Sequence, residues 1–164
     1  MSILIHGAAG GVGSYASQIA RNLGARVIGT ATGTDIEYLT SLGVDEVIDY
    51  KRERFEDIAA EMDAVVDLVG GETLSRSYAA VKKDGVLATT VQPIDKSLAK
   101  RVGIRAVQVV MKRNAADLAE LARLVEKGGL KTRLDKTMSL SQAREAQELS
   151  EAGKTQGKVI LKVA

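Results

Sequence analysis

The stretch Ile3-Leu-Ile-His-Gly-Ala-Ala-Gly-Gly-Val-Gly13 decides the fold class of this chain, because an apolar strand runs directly into a glycine-rich turn. A helical pattern follows from about Gly11 to Leu23. Glycines allow a tight turn and a close approach of backbone amides to a bound group, and a helix N-terminus carries a partial positive charge. Strand, glycines and helix in this order predict a dinucleotide-binding turn. We expect the pyrophosphate to lie against five of its residues: Ala9, Gly10, Gly11, Val12 and Gly13.

Strand and helix patterns continue to alternate along the first two-thirds of the chain. The strand segments are continuously apolar, which is typical of a parallel sheet covered on both faces. We predict strands over residues 2–6, 26–30, 46–49, 63–69, 84–91 and 104–111. Helices are predicted over residues 11–23, 34–43, 55–62, 72–81 and 115–127. The fold class is therefore α/β: a Rossmann-type, doubly wound, six-stranded parallel sheet with helices on both faces.

Two of the predicted helices carry more local detail. Thr34 and Glu37 have the spacing of a capping box, which would open the second helix. The apolar face of the first helix is predicted from residues at helical spacing: Val12, Ala16, Ile19, Ala20 and Leu23.

The residues after about 130 form a pattern of their own. A short strand within 130–138, an amphipathic helix over 141–152 and a final strand over 158–163 are not needed to complete a six-stranded sheet. We therefore divide the chain into a dinucleotide-binding domain, residues 1–130, and a C-terminal strand-helix-strand tail, residues 131–164.

Composition excludes several classes of function. The chain has 23 basic and 21 acidic residues, and its net charge of +2 gives no electrostatic footprint for nucleic acid or an acidic membrane. Without cysteine there are no disulfides, catalytic thiolates or cysteine zinc ligands, and a single histidine, His6, cannot nucleate a metal site. We read His6 as a packed residue. No apolar run is long enough to span a bilayer, so we expect a soluble, cytoplasmic protein without a metal.

Four segments, residues 5–13, 42–50, 63–71 and 155–161, together resemble the cofactor-binding half of the medium-chain dehydrogenases/reductases. The variant Ala8-Ala-Gly-Gly-Val-Gly13 is more similar to quinone oxidoreductases and enoyl reductases than to zinc alcohol dehydrogenases. This resemblance implies hydride transfer between a nicotinamide cofactor and a quinone or an α,β-unsaturated carbonyl. The alternatives are the cofactor half of a zinc-dependent alcohol dehydrogenase and a non-catalytic nucleotide-binding or redox-sensing module.

Another spacing, Gly7-x-x-x-Gly11-x-Gly13 with Tyr78 four residues before Lys82, matches the letters of the short-chain dehydrogenases. In that family the tyrosine pair lies about twice as far beyond the glycine turn. Tyr78 follows the fourth predicted strand directly, so we interpret it as a core or helix-surface residue and expect no catalytic residue in this chain.

The end of the second predicted strand, Gly29-Thr30-Ala31-Thr32-Gly33, bears on the choice of cofactor. An NAD-selective site holds the ribose hydroxyls with an acid at this point, and none is present, so NADP(H) is favoured over NAD(H). Similar reductases reach the 2′-phosphate with a Tyr after the third strand, which Tyr50 matches, and with a basic residue after the second strand. Asp35 and Glu37 occupy that second stretch, and our hypothesis is that Lys51 or Arg52 compensates.

Ligands of such sheets lie beyond the carboxyl ends of the parallel strands. Val69 and Gly70 should border the adenosine and linking ribose, and Thr89 and Val91 the nicotinamide. The predicted cofactor-binding set on the second to fifth strands is thus Thr30, Thr32, Gly33, Tyr50, Val69, Gly70, Thr89 and Val91.

Resembling enzymes carry a GroES-like substrate domain ahead of the glycine turn, whereas this chain begins one residue before its first predicted strand. We therefore expect a natural half-enzyme, one partner of a two-chain enzyme or a piece of a longer protein, which binds the dinucleotide but takes a substrate only with the missing domain. The final strand should swap into a neighbour or stay mobile, because the domain that would hold it is absent. Pairing of the exposed sixth strand predicts a homodimer.

Overall fold

A computed structural model describes residues 1–153 and 155–163 and divides the chain into two compact units, of which the first spans Met1–Leu130 and the second begins at Lys131. The strands of the first unit are β1 (Ser2–His6), β2 (Arg26–Ala31), β3 (Glu46–Asp49), β4 (Met62–Asp67), β5 (Val81–Thr89) and β6 (Arg105–Gln108). Its helices are α1 (Gly13–Asn22), α2 (Asp35–Ser41), α3 (Phe55–Ile58), α4 (Gly71–Ser77), α5 (Lys96–Val102) and α6 (Ala115–Glu126).

The six strands form one parallel sheet in the order β3-β2-β1-β4-β5-β6. This order confirms the predicted Rossmann-type sheet. The chain moves outward in one direction from β1 to β3 and in the other from β4 to β6, so the connections diverge between β1 and β4. A crevice at the carboxyl ends of strands forms at such a point, and it is the usual ligand position in open α/β sheets.

Apolar side chains from the two faces of the sheet build two separate cores. Leu4, Ile28, Val65 and Leu87 face one side, where they pack with Phe55 and other buried residues. Ile5, Val27, Leu39 and Val44 belong to the other core. A sheet that is buried on both faces explains why the strand sequences lack polar alternation.

The buried face of helix α1 matches the prediction only in part: Ala20 is buried and Ala16 packs partly buried against the core, but the ends of the predicted face are exposed. Its buried residues are Gly13, Ser14, Ser17, Gln18 and Ala20, whereas Val12 and Leu23 are 59% and 76% exposed. Small side chains let the helix approach the sheet closely, and two polar ones are satisfied locally. The hydroxyl of Ser17 donates to the carbonyl of Gly13, and the amide of Gln18 to that of Ser14.

Strand and helix ends also differ from the prediction. Strand β5 begins at Val81 rather than at residue 84, and its pairing with β4 contains an irregularity: Val81 pairs with Met62, and Val86 with Ala64. The sequence pattern also missed helix α5, whose N-cap Asp95 accepts hydrogen bonds from the amides of Ser97 and Leu98.

The predicted capping box of α2 and the predicted length of the sixth strand are not observed. The side chain of Thr34, the residue before α2, makes no capping hydrogen bond. Strand β6 ends at Gln108 rather than Met111. The last residues of the predicted run, Val109, Val110 and Met111, are 47%, 68% and 78% exposed.

The second unit contains β7 (Leu134–Ser139), α7 (Ala143–Glu151) and β8 (Lys158–Lys162). The two strands pair in parallel, with Thr137 opposite Ile160. A capping box of Ser139 and Gln142 opens the single 3-10 turn that precedes α7. The tail is therefore a strand-helix-strand unit as predicted, but β8 pairs with β7, a partner that the expectation of a swapped or mobile strand did not include.

Among the helices described, none combines the length and the apolar character that crossing a membrane requires.

Candidate cofactor-binding site

The glycine turn between β1 and α1 is held by its own backbone. Gly7 has a φ of 68°, in the region that favours glycine. Its carbonyl accepts from the amide of Gly10 at 3.0 Å, and the carbonyl of Gly10 accepts from the amide of Ser14 at 3.0 Å. A Cβ on Gly13 would lie 2.2 Å from the carbonyl oxygen of Gly7. No side chain fits there, so the sequence of the turn sets the close approach of α1 to β1.

The amides at the start of α1 remain available to a ligand. Those of Gly11, Val12 and Gly13 donate no hydrogen bond within residues 1–153 and 155–163. Gly10, Gly11 and Val12 are exposed. Unpaired N–H groups at the first turn of a ten-residue helix attract an anion through both hydrogen bonding and the helix dipole. The geometry of the predicted pyrophosphate turn thus fits a diphosphate.

The ends of β2 and β3 lie side by side next to this turn. The amide of Tyr50 donates to the carbonyl of Ala31 at 3.2 Å, and the side chain of Tyr50 is 57% exposed. Thr32 is half-buried and Gly33 exposed, with a φ of 58° and open space around its Cα. The structure therefore brings Thr32, Gly33 and Tyr50 together.

Thr30 takes a different position from its neighbours. Its side chain is only 5% exposed, and its hydroxyl accepts from the amide of Gly7 at 3.2 Å and lies 3.3 Å from Nδ1 of His6. The hydroxyl supports the glycine turn from within the protein.

Basic side chains stand on the turn after β3. Lys51 and Arg52 are both exposed. The side chain of Arg52 is 84% exposed, and its Nε lies 3.7 Å from the carboxylate of Asp49, a weak surface pair. Since β3 lies beside β2, these charges share an end of the sheet with Thr32 and Tyr50.

The loops after β4 and β5 touch each other. A Cβ on Gly70, whose φ is 80°, would lie 2.9 Å from Cγ1 of Val91. The amide of Gly71 donates to the side-chain oxygen of Gln92 at 2.9 Å. Val69 and Val91 are about half exposed, at 52% and 49%, so these two apolar side chains are accessible at adjacent strand ends.

Asp67 is a residue of this site that the sequence reasoning missed. It is fully buried at the end of β4. One oxygen accepts from the amides of Val69 and Gly70 at 3.3 and 3.0 Å, and the other from the Gly70 amide and the hydroxyl of Thr89 at 3.1 and 3.0 Å. The available signal was an acid directly after the apolar run Ala64-Val65-Val66. Thr89 is also fully buried, so its hydroxyl does not reach solvent.

Comparisons with known proteins agree on one family. A family model described as "Zinc-binding dehydrogenase" matches residues 42–161, well over half of the chain. A quinone oxidoreductase from Coxiella burnetii superposes with a TM-score of 0.88 at 34% identity, covering 99% of this chain and 53% of that one. This chain belongs to the zinc-binding dehydrogenase family. The predicted resemblance to the medium-chain dehydrogenases/reductases is thereby confirmed.

Members of this family that resemble the chain differ in cofactor. A curated "NAD-dependent alcohol dehydrogenase" from Sulfolobus acidocaldarius is 32% identical, over 99% of this chain and 50% of its own length. A mycobacterial protein, Rv1454c, was solved "complexed with NADPH"; its TM-score is 0.82 at 27% identity, covering 99% of this chain and 56% of that one. The chain spans about half the length of the curated relatives it matches.

Despite the family's name, the described residues bring no three His, Asp or Glu side chains into a group that would hold a metal ion. The single histidine, His6, is 1% exposed, and its ring packs edge-on against Phe55 with centroids 4.5 Å apart. Its Nε2 has no hydrogen-bond partner in the described part of the chain. Burial lowers the pKa of His6 to about 4, so the side chain is neutral at pH 7.

Tyr78, which with Lys82 matches the letters of the short-chain dehydrogenases, lies in the core. It is 6% exposed. Its hydroxyl accepts from the amide of Asp95 at 2.9 Å and lies 3.3 Å from the Asp95 carbonyl. Burial raises the pKa of Tyr78. A buried, backbone-bonded phenol at this place serves packing, as the sequence position predicted.

Proposed function

We propose that this chain is the NADP(H)-binding part of an oxidoreductase that transfers hydride between the nicotinamide and a quinone or an α,β-unsaturated carbonyl. The observation that carries the proposal is the set of amides at Gly11, Val12 and Gly13, which lie at the start of α1 and donate no hydrogen bond to any described residue. Membership of an oxidoreductase family supplies the reaction class.

Each part of the proposed site has a distinct task. The amides of Gly11, Val12 and Gly13 would hold the pyrophosphate. Val69 and Gly70 would border the adenosine and linking ribose, and the end of β5 the nicotinamide. Because the hydroxyls of Thr30 and Thr89 are engaged inside the protein, we expect those residues to act through the backbone and loops that they support, rather than by direct side-chain contact.

The preference for NADP(H) rests on charge at the ends of β2 and β3. No acid stands at the end of β2 to repel a 2′-phosphate, and Thr32 and Gly33 leave room for one. Tyr50 is exposed there, and Lys51 and Arg52 add positive charge from the same turn. Asp35, at the start of α2, opposes this preference. The NAD-dependent relative makes NAD(H) the competing choice.

The cofactor supplies the chemistry, because the nicotinamide is the hydride carrier. The residues of this chain bind and orient it: the glycine turn fixes the diphosphate, and the strand ends set the position of the two riboses. We propose that the substrate pocket needs the part of the protein that corresponds to the remaining half of the relatives' length. The segment from residue 131 would return to that domain.

The alcohol dehydrogenase relative also keeps open a second candidate, the cofactor half of a zinc-dependent alcohol dehydrogenase. The two candidates share the site described above and differ in the residues of the missing half. A third reading, a nucleotide-binding module without catalysis, predicts the same binding and no reaction in any assembly. We also propose a homodimer formed through β6, which pairs only with β5 among the described strands and is followed by the exposed residues Val109, Val110 and Met111.

Calorimetric titration with NADPH and with NADH tests the proposal on the chain as it stands. We expect saturable binding of both, with NADPH the tighter ligand. Val12 is the residue to change, because its side chain is 59% exposed at the N-cap of α1. Val12→Asp places a negative charge beside the diphosphate and should weaken binding at least tenfold, an effect that added salt should reduce.

Val12→Asn is the matched control, since it has the same shape without the charge. Both residues are favoured at a helix N-cap, so neither variant should lose stability. If Val12→Asp and Val12→Asn bind NADPH with equal affinity, the diphosphate does not bind at this turn. A wild-type chain that binds NADH more tightly than NADPH would overturn the cofactor preference alone.

A further inference from the structure

A row of buried polar side chains crosses the sheet directly beneath the proposed site. In the sheet register His6 pairs with Asp67, and Asp67 with Thr89. On the other side of β1, Thr30 follows Gly29, the partner of Ile5. These four residues, on four adjacent strands, are between 0% and 5% exposed. The cores of such sheets are usually apolar at these positions, so a row of polar groups needs an explanation.

The row consists of two separate hydrogen-bonded pairs. Thr30 and His6 support the glycine turn through the amide of Gly7. Asp67 and Thr89 connect the ends of β4 and β5, since Asp67 accepts from the amide of Gly70 and from the hydroxyl of Thr89. The same hydroxyl accepts from the amide of Val91 at 3.2 Å. A single chain of hydrogen bonds therefore runs from Gly70 through Asp67 and Thr89 to Val91.

This chain of bonds suits a carboxylate better than any other side chain. All partners of the two oxygens are donors, three contacts coming from backbone N–H groups and one from a hydroxyl. Burying a carboxylate is unfavourable, and an apolar pair would join two strands without that cost. What the carboxylate adds is a fixed separation and orientation of two loops, which apolar packing specifies less tightly.

We propose that Asp67 is a positioning residue for the cofactor: through Gly70 on one loop and Thr89 on the other, it fixes the two strand ends that border the riboses and the nicotinamide. Asp67 itself does not touch the ligand. This inference rests on the proposed function, because the two loops matter only if a dinucleotide lies across them. It assigns to Thr89 a supporting role between Asp67 and Val91.

Substitutions at Thr89 separate this role from simple packing. Thr89→Val keeps the shape of the side chain but removes the hydroxyl, which releases Val91 from Asp67. Thr89→Ser keeps the hydroxyl and loses only a methyl group. The bonds from Asp67 to Gly70 remain in both variants. The β5 loop alone should therefore loosen in Thr89→Val.

Two probes report on the two halves of the site: NADPH, and adenosine 2′,5′-bisphosphate, which lacks the nicotinamide mononucleotide half of the cofactor. We expect Thr89→Val to weaken NADPH binding about five- to tenfold and to leave binding of the bisphosphate within twofold of wild type. Thr89→Ser should restore the NADPH affinity. Asp67→Asn should also weaken NADPH binding, because its amide nitrogen replaces one of the two oxygens that accept from Gly70 and Thr89.

The fluorescence of bound NADPH supplies an independent readout. Its emission reports the surroundings of the reduced nicotinamide, so the spectrum of the Thr89→Val complex should differ from that of wild type, and the Thr89→Ser spectrum should not. Thermal unfolding of each unliganded variant reports stability separately. If Asp67→Asn does not fold, the Thr89 pair still decides the matter.

The possible failures are distinguishable. A wild-type chain that binds neither NADPH nor the bisphosphate refutes the proposed function, and the positioning role with it. A wild-type chain that binds both, while Thr89→Val binds NADPH as tightly as wild type, refutes the positioning role alone. The proposal is also overturned if Thr89→Val loses the same affinity for both probes, or if Thr89→Ser binds NADPH as weakly as Thr89→Val. Either result would mean that the contact serves only packing.

Discussion

His6 sits between the two hydrogen-bonded halves of the buried polar row and titrates far from its ordinary range. Loss of hydration lowers its pKa to about 4 from the usual 6.5, while the nearby Asp67 carboxylate raises it by a smaller amount. The imidazole is therefore neutral in the folded protein at any pH above about 4. In the unfolded chain it takes up a proton near pH 6.5.

This difference predicts a loss of stability in mild acid. The contribution of His6 is complete above pH 6.5 and is lost as the pH falls towards 4, because only the unfolded state binds the proton in that interval. Between pH 7 and pH 5 the free energy of unfolding should fall by about 2 kcal/mol through this residue. Urea denaturation at the two pH values measures it.

His6→Phe is the control, since phenylalanine keeps a ring against Phe55 and cannot titrate. The variant should lose the pH dependence between 7 and 5 while keeping any that comes from other groups. Asp63 does not interfere with this measurement. Hydrogen bonds from Lys82 and, to a smaller extent, from the Ser2 amide lower the pKa of Asp63 from 3.8 to about 2. Its effect on stability therefore lies below pH 5. An unchanged pH dependence in His6→Phe would show that His6 is not the responsible group.

At the scale of elements, β6 is the strand at one edge of the six-stranded sheet. It pairs with β5 along one edge. The apolar residues that follow it, Val109, Val110 and Met111, are exposed. An unpaired strand edge with apolar neighbours favours association with another copy.

The proposed dimer can be disrupted by charge at this edge. Val110→Lys places an ammonium group at a position that is 68% exposed. The charge should disfavour association, so the protein should shift from dimer to monomer in sedimentation velocity. Its stability should not fall, because the side chain is not buried. Leu23→Lys, at a 76% exposed position after α1, is the matched control and should remain dimeric. Wild-type chain that sediments as a monomer over the whole accessible concentration range would contradict the dimer.

At the scale of the whole molecule, the thirteen predicted cofactor-binding residues all lie in the unit that ends at Leu130. Because the chain spans about half the length of its curated relatives, we propose that it carries the cofactor side of a reaction centre whose substrate side belongs to the other half. Binding and turnover should therefore be separable in this protein.

We predict that the isolated chain binds NADPH, but that NADPH is oxidised by a quinone little faster in its presence than in buffer alone. The proposed site covers only the cofactor side, so the isolated chain would neither order the substrate above the nicotinamide nor exclude water from it. The measurement is the loss of NADPH absorbance with 1,4-benzoquinone, in a sample whose NADPH affinity has been determined by calorimetry. Sustained, saturable turnover by the isolated chain would show that the site is complete.

Much of the backbone geometry of the candidate site could be predicted from the sequence, because it depends on local order. Strand, glycines and helix are consecutive, so the turn and its free amides follow from short-range geometry at Gly7, Gly10 and Gly13. The strand ends that border the proposed cofactor follow from the alternation of strand and helix. The contacts of Asp67 could not be predicted, because one of its partners, Thr89, lies 22 residues further along the chain.

The sequence by itself determined the fold class, the glycine turn between β1 and α1 and the lack of cysteine, because those depend on hydrophobic period, neighbouring residues and composition. Tertiary structure decided which side chains face solvent. It buried the serines of α1 while exposing Val12 and Leu23, turned the hydroxyls of Thr30 and Thr89 inward, and paired β8 with β7. These outcomes depend on which elements become neighbours in space, and the free energy of those contacts outweighs the local pattern.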